Sequence, residues 1–282
     1  MGTNKIAIGI SAALLGLVGL LYYAADSGPS VSLNLTSELT IEDTWELPGE
    51  LAEISGIAFL GEEKVVGVQD EKGVLFVYNL STRRIEKQIE FGSNGDYEGV
   101  ALDNTTAYVL RTDGTIIVIE DYLTEKKVSE IQTGLTQEED PEGLCFDEKN
   151  NRLLIAIKGD DPKEEGAKSI YAVDLSRQSP DASPAIKIDL NNAVFKELKE
   201  DDLQDRFKPS EINIHPESGQ IYLLEGQEPK LLIMDQKGDP EELIVLDKKD
   251  FPQPEGLSFD PDGNLYISNE GSPGTIYRVS IK

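Results

Sequence analysis

Cysteine, histidine and tryptophan each occur once in this 282-residue chain, and methionine only twice. A single thiol, Cys145, makes no internal disulfide, so the fold must be held by its core and not by cross-links. It lies in the apolar run Gly-Leu-Cys-Phe-Asp, the setting of a buried, inert thiol and not of a nucleophile. One histidine, His215, leaves no Cys/His spacing for zinc. Positive charge is also scarce: 26 Lys+Arg stand against 53 Asp+Glu, a net charge of −27. A surface of that sign repels nucleic acid and anionic lipid headgroups, and no basic stripe interrupts it. There is no phosphate-cradling Gly-rich loop before a helix and no EF-hand loop.

What the chain does have, at its start, is an uncharged apolar run from Ile6 to Ala25. That length matches the ~20 residues a helix needs to cross a bilayer. Signal peptides have a shorter apolar stretch and a small-x-small exit. Here Tyr22-Tyr23-Ala24 and Tyr23-Ala24-Ala25 put tyrosine where a small residue is wanted. A retained anchor is therefore expected, with a cleaved signal peptide as the alternative. Lys5 before the span and Asp26 after it favour the N-terminus inside. The expected organisation is a cytoplasmic tail at 1–5, a transmembrane anchor at 6–25, a linker at 26–38 and a folded domain at 39–282. That domain would lie on the extracytoplasmic side of a cell membrane, periplasmic or extracellular.

The remainder repeats itself. Ser55-Gly56-Ile57-Ala58-Phe59, Glu98-Gly99-Val100-Ala101-Leu102, Glu142-Gly143-Leu144-Cys145-Phe146, Ser210-Glu211-Ile212-Asn213-Ile214 and Glu255-Gly256-Leu257-Ser258-Phe259 align. Their first residues are 43, 44, 68 and 45 positions apart. A period in the low forties is that of a four-stranded propeller blade. After each segment come a turn, a second apolar strand, a polar loop and a third strand, such as Leu231-Leu232-Ile233-Met234. Such runs between turn residues are hairpin meanders. The last repeat ends after three strands, and Thr40 to Leu47 reads as the strand that completes it and closes the ring. The expected fold is thus all-β, a five-bladed propeller preceded by one transmembrane helix. The long fourth spacing carries Val194, Phe195 and Leu198 at helical intervals, so a short helix or ordered excursion is expected within Asn191 to Phe207.

The innermost strand of a blade begins at one mouth of the central channel. Those positions read Ser55, Glu98, Glu142, Ser210 and Glu255, with Glu211 beside them and Glu53 nearby. The second strand returns to the same mouth, where its ends read Gln69-Asp70, Arg111-Thr112-Asp113, Lys158-Gly159-Asp160, Glu225-Gly226-Gln227 and Ser268-Asn269-Glu270; Asp70, Arg111, Lys158 and Asn269 are the candidate binding residues among them. Facing carboxylates must be solvated, protonated, paired with a cationic side chain or joined by a cation. A ring of Glu with hydroxyls and backbone oxygens suits Ca²⁺ better than Zn²⁺. The alternative is that Glu before Gly satisfies channel N–H groups or pairs with Arg111 and Lys158. His215 ends its strand at the other mouth, which argues against Ser-His-Asp chemistry. Asp260-Pro261-Asp262-Gly263-Asn264 has part of a Ca²⁺ loop but sits where every repeat turns.

Taken together, Glu-Ile-Ser-Gly-Ile-Ala, the Glu-Gly-Leu repeats, Pro-Ser-Glu-Ile and Pro-Gln-Pro-Glu-Gly-Leu-Ser-Phe-Asp-Pro-Asp-Gly-Asn-Leu-Tyr-Ile-Ser-Asn-Glu resemble the SdiA-regulated (YjiK-like) bacterial proteins from about Thr40 to Lys282. The resemblance implies a five-bladed propeller with a calcium site, Glu98, Glu142 and Glu255 lying at or near the metal. Ser55 and Ser210 break the carboxylate ring. It implies no particular activity. Two functions remain in view. One is a Ca²⁺-dependent module binding a small molecule or surface partner. The other is a metal-dependent hydrolase of lactonase, esterase or phosphoesterase type, with Arg111 and Lys158 holding an anionic substrate.

Overall fold

The structure is a computed structural model that describes residues 38–160, 166–177, 182–198, 200 and 202–282. The expected anchor at Ile6–Ala25 lies outside the described residues. Among those described, no helix is long and apolar enough to cross a membrane.

Twenty described strands form five four-stranded antiparallel sheets. Blade one holds β2 (Ile54–Gly61), β3 (Lys64–Gln69), β4 (Val74–Asn79) and β5 (Arg84–Glu90). Blade two holds β6 (Tyr97–Asp103), β7 (Thr106–Arg111), β8 (Thr115–Glu120) and β9 (Lys127–Gln132). Blade three holds β10 (Pro141–Asp147), β11 (Arg152–Ile157), β12 (Ala167–Asp174) and β13 (Ser183–Asp189). Blade four holds β14 (Pro209–Ile214), β15 (Ile221–Glu225), β16 (Lys230–Met234) and β17 (Pro240–Val245). Blade five holds β18 (Pro254–Phe259), β19 (Leu265–Asn269) and β20 (Thr275–Ile281), and its outer strand is β1 (Leu39–Glu46) from the start of the domain.

The inner strands β2, β6, β10, β14 and β18 each pack on the next, and β18 returns to β2. The ring is therefore closed. β1 runs antiparallel to β20 from Leu39 opposite Ile281 to Glu46 opposite Thr275, which locks the first part of the domain to the last. Trp45 fixes that closure further by donating its indole N–H to the Leu80 carbonyl of blade one at 2.8 Å.

Five apolar clusters hold the ring, one between each pair of neighbouring blades. Cys145, Leu154, Ile212 and Leu223 join blades three and four. Val66, Val77, Val100 and Val109 join one and two. Leu110, Leu144 and Ile155 join two and three. Leu224, Leu231, Leu257 and Ile267 join four and five, and Ile54, Phe76, Tyr266 and Ile276 join five and one. Each fully buried aliphatic or aromatic side chain contributes about 1.5–3 kcal/mol, so a blade gains its stability from its neighbours and not from itself. Burial falls from axis to rim. β16 is buried throughout, whereas β5 and β9 are mostly exposed and carry Glu86, Lys87 and Glu130. Charges on these outermost strands keep their free edges from pairing with another sheet.

The insertion before blade four is an ordered excursion that, among the described residues, holds two short 3-10 turns, Ala193–Phe195 and Gln204–Arg206, and no α-helix. Val194, Phe195 and Phe207 are buried in the cluster between blades three and four, which anchors the excursion without longer helical structure.

Candidate functional site at the axial mouth

All five inner hairpins break register at the same place. The ladder shifts between Tyr97 and Gly99, Pro141 and Gly143, Pro209 and Glu211, Pro254 and Gly256, and, over two residues, between Ile54 and Ile57. The residues left unpaired are Glu98, Glu142, Ser210, Glu255, and Ser55 with Gly56. A β-bulge re-aims the side chain of its extra residue. Here it turns all five toward the axis, where they line one cavity of about 160 Å³. The glycine that follows serves a second need, because neighbouring inner strands approach very closely. A Cβ on Gly143 would lie 2.7 Å from Glu211 Cα, and one on Gly99 would lie 2.9 Å from the Glu142 carbonyl oxygen. The Glu-Gly dipeptide thus combines an axial carboxylate with a strand that can pack against its neighbour.

Asp70, Asp96, Lys158, Gln253 and Glu270 complete the lining. Six carboxylates therefore face one ammonium. Lys158 Nζ donates to Glu142 Oε1 at 2.8 Å. Burial, then the charges of Glu142 and Asp96, push the Glu98 carboxyl up to about 9. Burial and the Glu142 charge push Glu255 up to about 8. Glu270 is pushed up to about 7 by burial and by Asp70 and Glu53. Glu142 is raised too, because burial outweighs its bond to Lys158. Every one of these shifts has the same origin: negative charge gathered where water is limited favours the neutral acid.

The structure brings together Ser55, Asp70, Glu98, Glu142, Lys158, Ser210 and Glu255. It does not bring Arg111, Asn269 or Glu211 to the cavity. Arg111 opposes Tyr97 in its ladder and donates to Asp113 at 3.0 and 2.7 Å. Asn269 opposes Pro254 and is buried, its side-chain amide without a partner. Both lie one residue short of the cavity position, and successive side chains of a strand face opposite ways. The next residue along is the one that counts: Asp70, Lys158 and Glu270, each of whose N–H groups closes its hairpin on Glu53, Asp140 or Gln253. In blade four that place belongs to Gly226, and a Cβ there would lie 2.7 Å from Glu255 Oε1. The missing side chain makes room for the Glu255 carboxylate.

Glu211 stands where the other repeats have glycine. It is 1% exposed. Its Oε1 accepts the N–H groups of Leu144 at 2.8 Å and Ile212 at 2.9 Å, and its Oε2 has no partner. Burial, followed by the charges of Glu142 and Glu255, holds its carboxyl well above the usual range. Asp96, Gln253 and Glu270 are lining residues that the blade-start comparison passes over. Asp96 and Gln253 stand two residues before a bulged glutamate, in the place that Glu53 takes before Ser55. Carrying the repeat two positions upstream finds them.

His215 lies at the far end of β14 from Ser210, roughly 16 Å along a strand. Its ring sits 5.0 Å from that of Phe259, and its Nδ1 accepts the N–H groups of Glu217 and Ser218 at 3.2 Å. That is a turn-stabilising role.

The donor set of the mouth is carboxylate and hydroxyl oxygen, with no histidine or cysteine. This is the chemistry of a hard cation such as Ca²⁺. Among the described residues, no group of three or more Asp, Glu, His or Cys side chains already stands close enough to hold a metal ion. The carboxylates share a cavity without sharing a coordination sphere.

These features define a closed five-bladed β-propeller with an acidic mouth at one end of its axis. The chain belongs to the SdiA-regulated family, whose model matches residues 34–280. No curated protein matches it in sequence. Among solved structures it is similar to the glutaminyl cyclase of Myxococcus xanthus, with TM-score 0.64 and 15% identity over 86% of this chain and 96% of that one. It is also similar to the PQQ-bound aldose sugar dehydrogenase of Streptomyces coelicolor, with TM-score 0.53 and 11% identity over 89% of this chain and 100% of that one. Likeness at such identity reflects the shared fold alone.

Proposed function

We propose that this protein is a cation-dependent binding module. Its axial mouth takes a divalent cation of the Ca²⁺ type, and the occupied mouth presents a site for a small molecule or a surface partner. Ile6–Ala25 would tether the propeller to the membrane on the extracytoplasmic side. The observation that carries this reading is the convergence of Glu98, Glu142 and Glu255, from three blades, on one cavity of about 160 Å³. Burial holds Glu98 and Glu255 at about 9 and 8, so near neutral pH they must be neutralised, by protons or by a cation. A divalent ion joining such groups removes the repulsion without protons. Glu98, Glu142 and Glu255 would hold it, and the ion would supply an electrophilic point for an anionic or oxygen-bearing ligand. The binding reading is favoured over hydrolysis because no histidine lines the cavity. In addition, the single Ser210 O–H is shared among the carbonyls of Leu224, at 3.3 Å, and Pro254, at 3.2 Å, and the Glu255 carboxylate.

The test is calorimetric titration of the purified full chain with CaCl₂, wild type against Glu142→Gln. Saturable binding that weakens in the variant is expected. Equal affinity in both, or no binding in the wild type, would remove the axial site from the account.

A further inference from the structure

We infer that Lys158 is a tethered counter-cation that a divalent ion must displace from Glu142, and that it sets the affinity and charge selectivity of the axial mouth. The inference rests on the cation-binding reading above and deepens it.

Five residues occupy the structural place just beyond the second strand of a blade: Asp70, Thr112, Lys158, Gly226 and Glu270. Two are acidic, two are neutral, and only blade three supplies a cation. Its ammonium lies 2.8 Å from Glu142 Oε1. Glu142 is only 7% exposed, whereas Glu98 and Glu255 are partly exposed. The most buried carboxylate of the ring is thus the one that carries the built-in partner. A buried carboxylate without a partner is costly, so Lys158 keeps the mouth compatible with folding before any ion arrives.

The backbone beneath Lys158 is fixed. Its N–H donates to the Asp140 carbonyl at 2.8 Å. The wholly buried ammonium of Lys168 donates to the Lys158 carbonyl at 2.8 Å and to that of Gly159. A Cβ on Gly159 would lie 2.5 Å from the Glu138 carbonyl oxygen, so the two loops pack main chain against main chain. The Lys158 side chain, by contrast, is 24% exposed. A fixed root and a flexible four-carbon arm are what a displaceable internal ion requires.

Selectivity follows from charge. A monovalent metal brings no more charge than the ammonium it must displace, and the ammonium, being tethered, is present at high effective concentration. A divalent ion brings one charge more than the ammonium it would displace.

The experiment is calorimetric titration of the full chain with CaCl₂ for wild type, Lys158→Met, Lys158→Gln and Lys158→Arg, in NaCl and in choline chloride. The shift in melting temperature caused by CaCl₂ is read in parallel on the same proteins. The neutral variants should bind Ca²⁺ roughly tenfold tighter or more, the strength of one displaced charge-assisted hydrogen bond. Their affinity should also drop when Na⁺ replaces choline, because no internal ion now excludes it. Lys158→Arg should stay near wild type. If Lys158→Met fails to fold, Lys158→Gln and the melting shifts decide. Wild-type binding with equal or weaker binding in both neutral variants would overturn the role of Lys158 while leaving the cation site standing. Absence of Ca²⁺ binding in every protein would overturn the site itself.

Discussion

Raising the pH of the cation-free protein from about 5 to about 9 should destabilise the propeller, and Glu98→Gln should remove part of that loss. Glu98 moves from an ordinary 4.5 to about 9, and Glu255 from 4.5 to about 8. A carboxyl whose pKa is raised by folding binds its proton more tightly in the folded state. Between the ordinary and the raised value the folded state therefore holds more protons than the unfolded one, and stability falls as pH rises. The contribution is whole below about 4.5 and is lost as the pH climbs through about 8 to 9. At about 1.4 kcal/mol per unit, the full shifts correspond to roughly 6 and 5 kcal/mol, and partial exposure and the mutual interaction of the two acids reduce this. An effect of about 2–3 kcal/mol for the pair is expected, or about 5–10 °C in melting temperature at this domain size.

Glutamine is isosteric with the protonated acid. Wild type and Glu98→Gln should melt together near pH 5, and the variant should melt several degrees higher near pH 9. The chain's net charge of −27 also self-repels as pH rises, but it does so almost equally in both proteins, so the difference between them isolates the axial group. Adding CaCl₂ near pH 9 should raise the wild type more than the variant. Thermal melts followed by circular dichroism across the range decide the matter. Parallel curves for the two proteins at every pH would refute the reasoning, because they would show that Glu98 ionises without opposition.

Three further outcomes follow from the packing. Gly143→Ala should cost about 3 kcal/mol or more in urea denaturation, because the added Cβ would lie 2.7 Å from main-chain atoms of Glu211 and Ile212. Gly49→Ala, where nothing lies within 4 Å, should change stability by no more than about 0.5 kcal/mol. Lys168→Met should cost about 1–2 kcal/mol by the same assay, since it strips the half-buried carbonyls of Lys158 and Gly159 of their donor.

The ring was legible in the sequence because each blade repeats one local solution, an acidic or hydroxyl residue followed by a strand that packs on its neighbour. The closing strand was legible for the complementary reason: Thr40 to Leu47 had a strand pattern and no partner, and β1 occupies that place. What could not be read was the phase of the second strand. Arg111 and Asn269 look like mouth residues when strand ends are counted from the apolar run. The bulge at Glu98 and Glu255 uncouples that count from the axis, so Thr112 and Glu270, the next residues of the same strand ends, occupy the matching places. The excursion before blade four takes the second of the two forms its spacing allows, an ordered excursion, because docking Val194 and Phe195 on the blade interface needs only 3-10 turns.

Blade four shows most directly how the mouth is put together. There Ser-Glu replaces Glu-Gly, moving the carboxylate one residue along a bulged strand. On a regular strand such a shift would send the side chain to the other face. Here Glu211 keeps to the interior, accepts two inner-strand N–H groups with one oxygen and leaves the other bare, within range of the Glu142 and Glu255 charges. Ser210 and Gly226 meanwhile clear the space that the Glu255 carboxylate fills. The five positions of the ring are therefore not equivalent. At the bulged position blades two, three and five supply carboxylates and blades one and four supply serines, and the ammonium of Lys158 stands against the most buried of those carboxylates. A lysine in that place would be a poor choice for a ring that only had to bind a cation. It makes sense if the protein must also fold and persist while the mouth is empty.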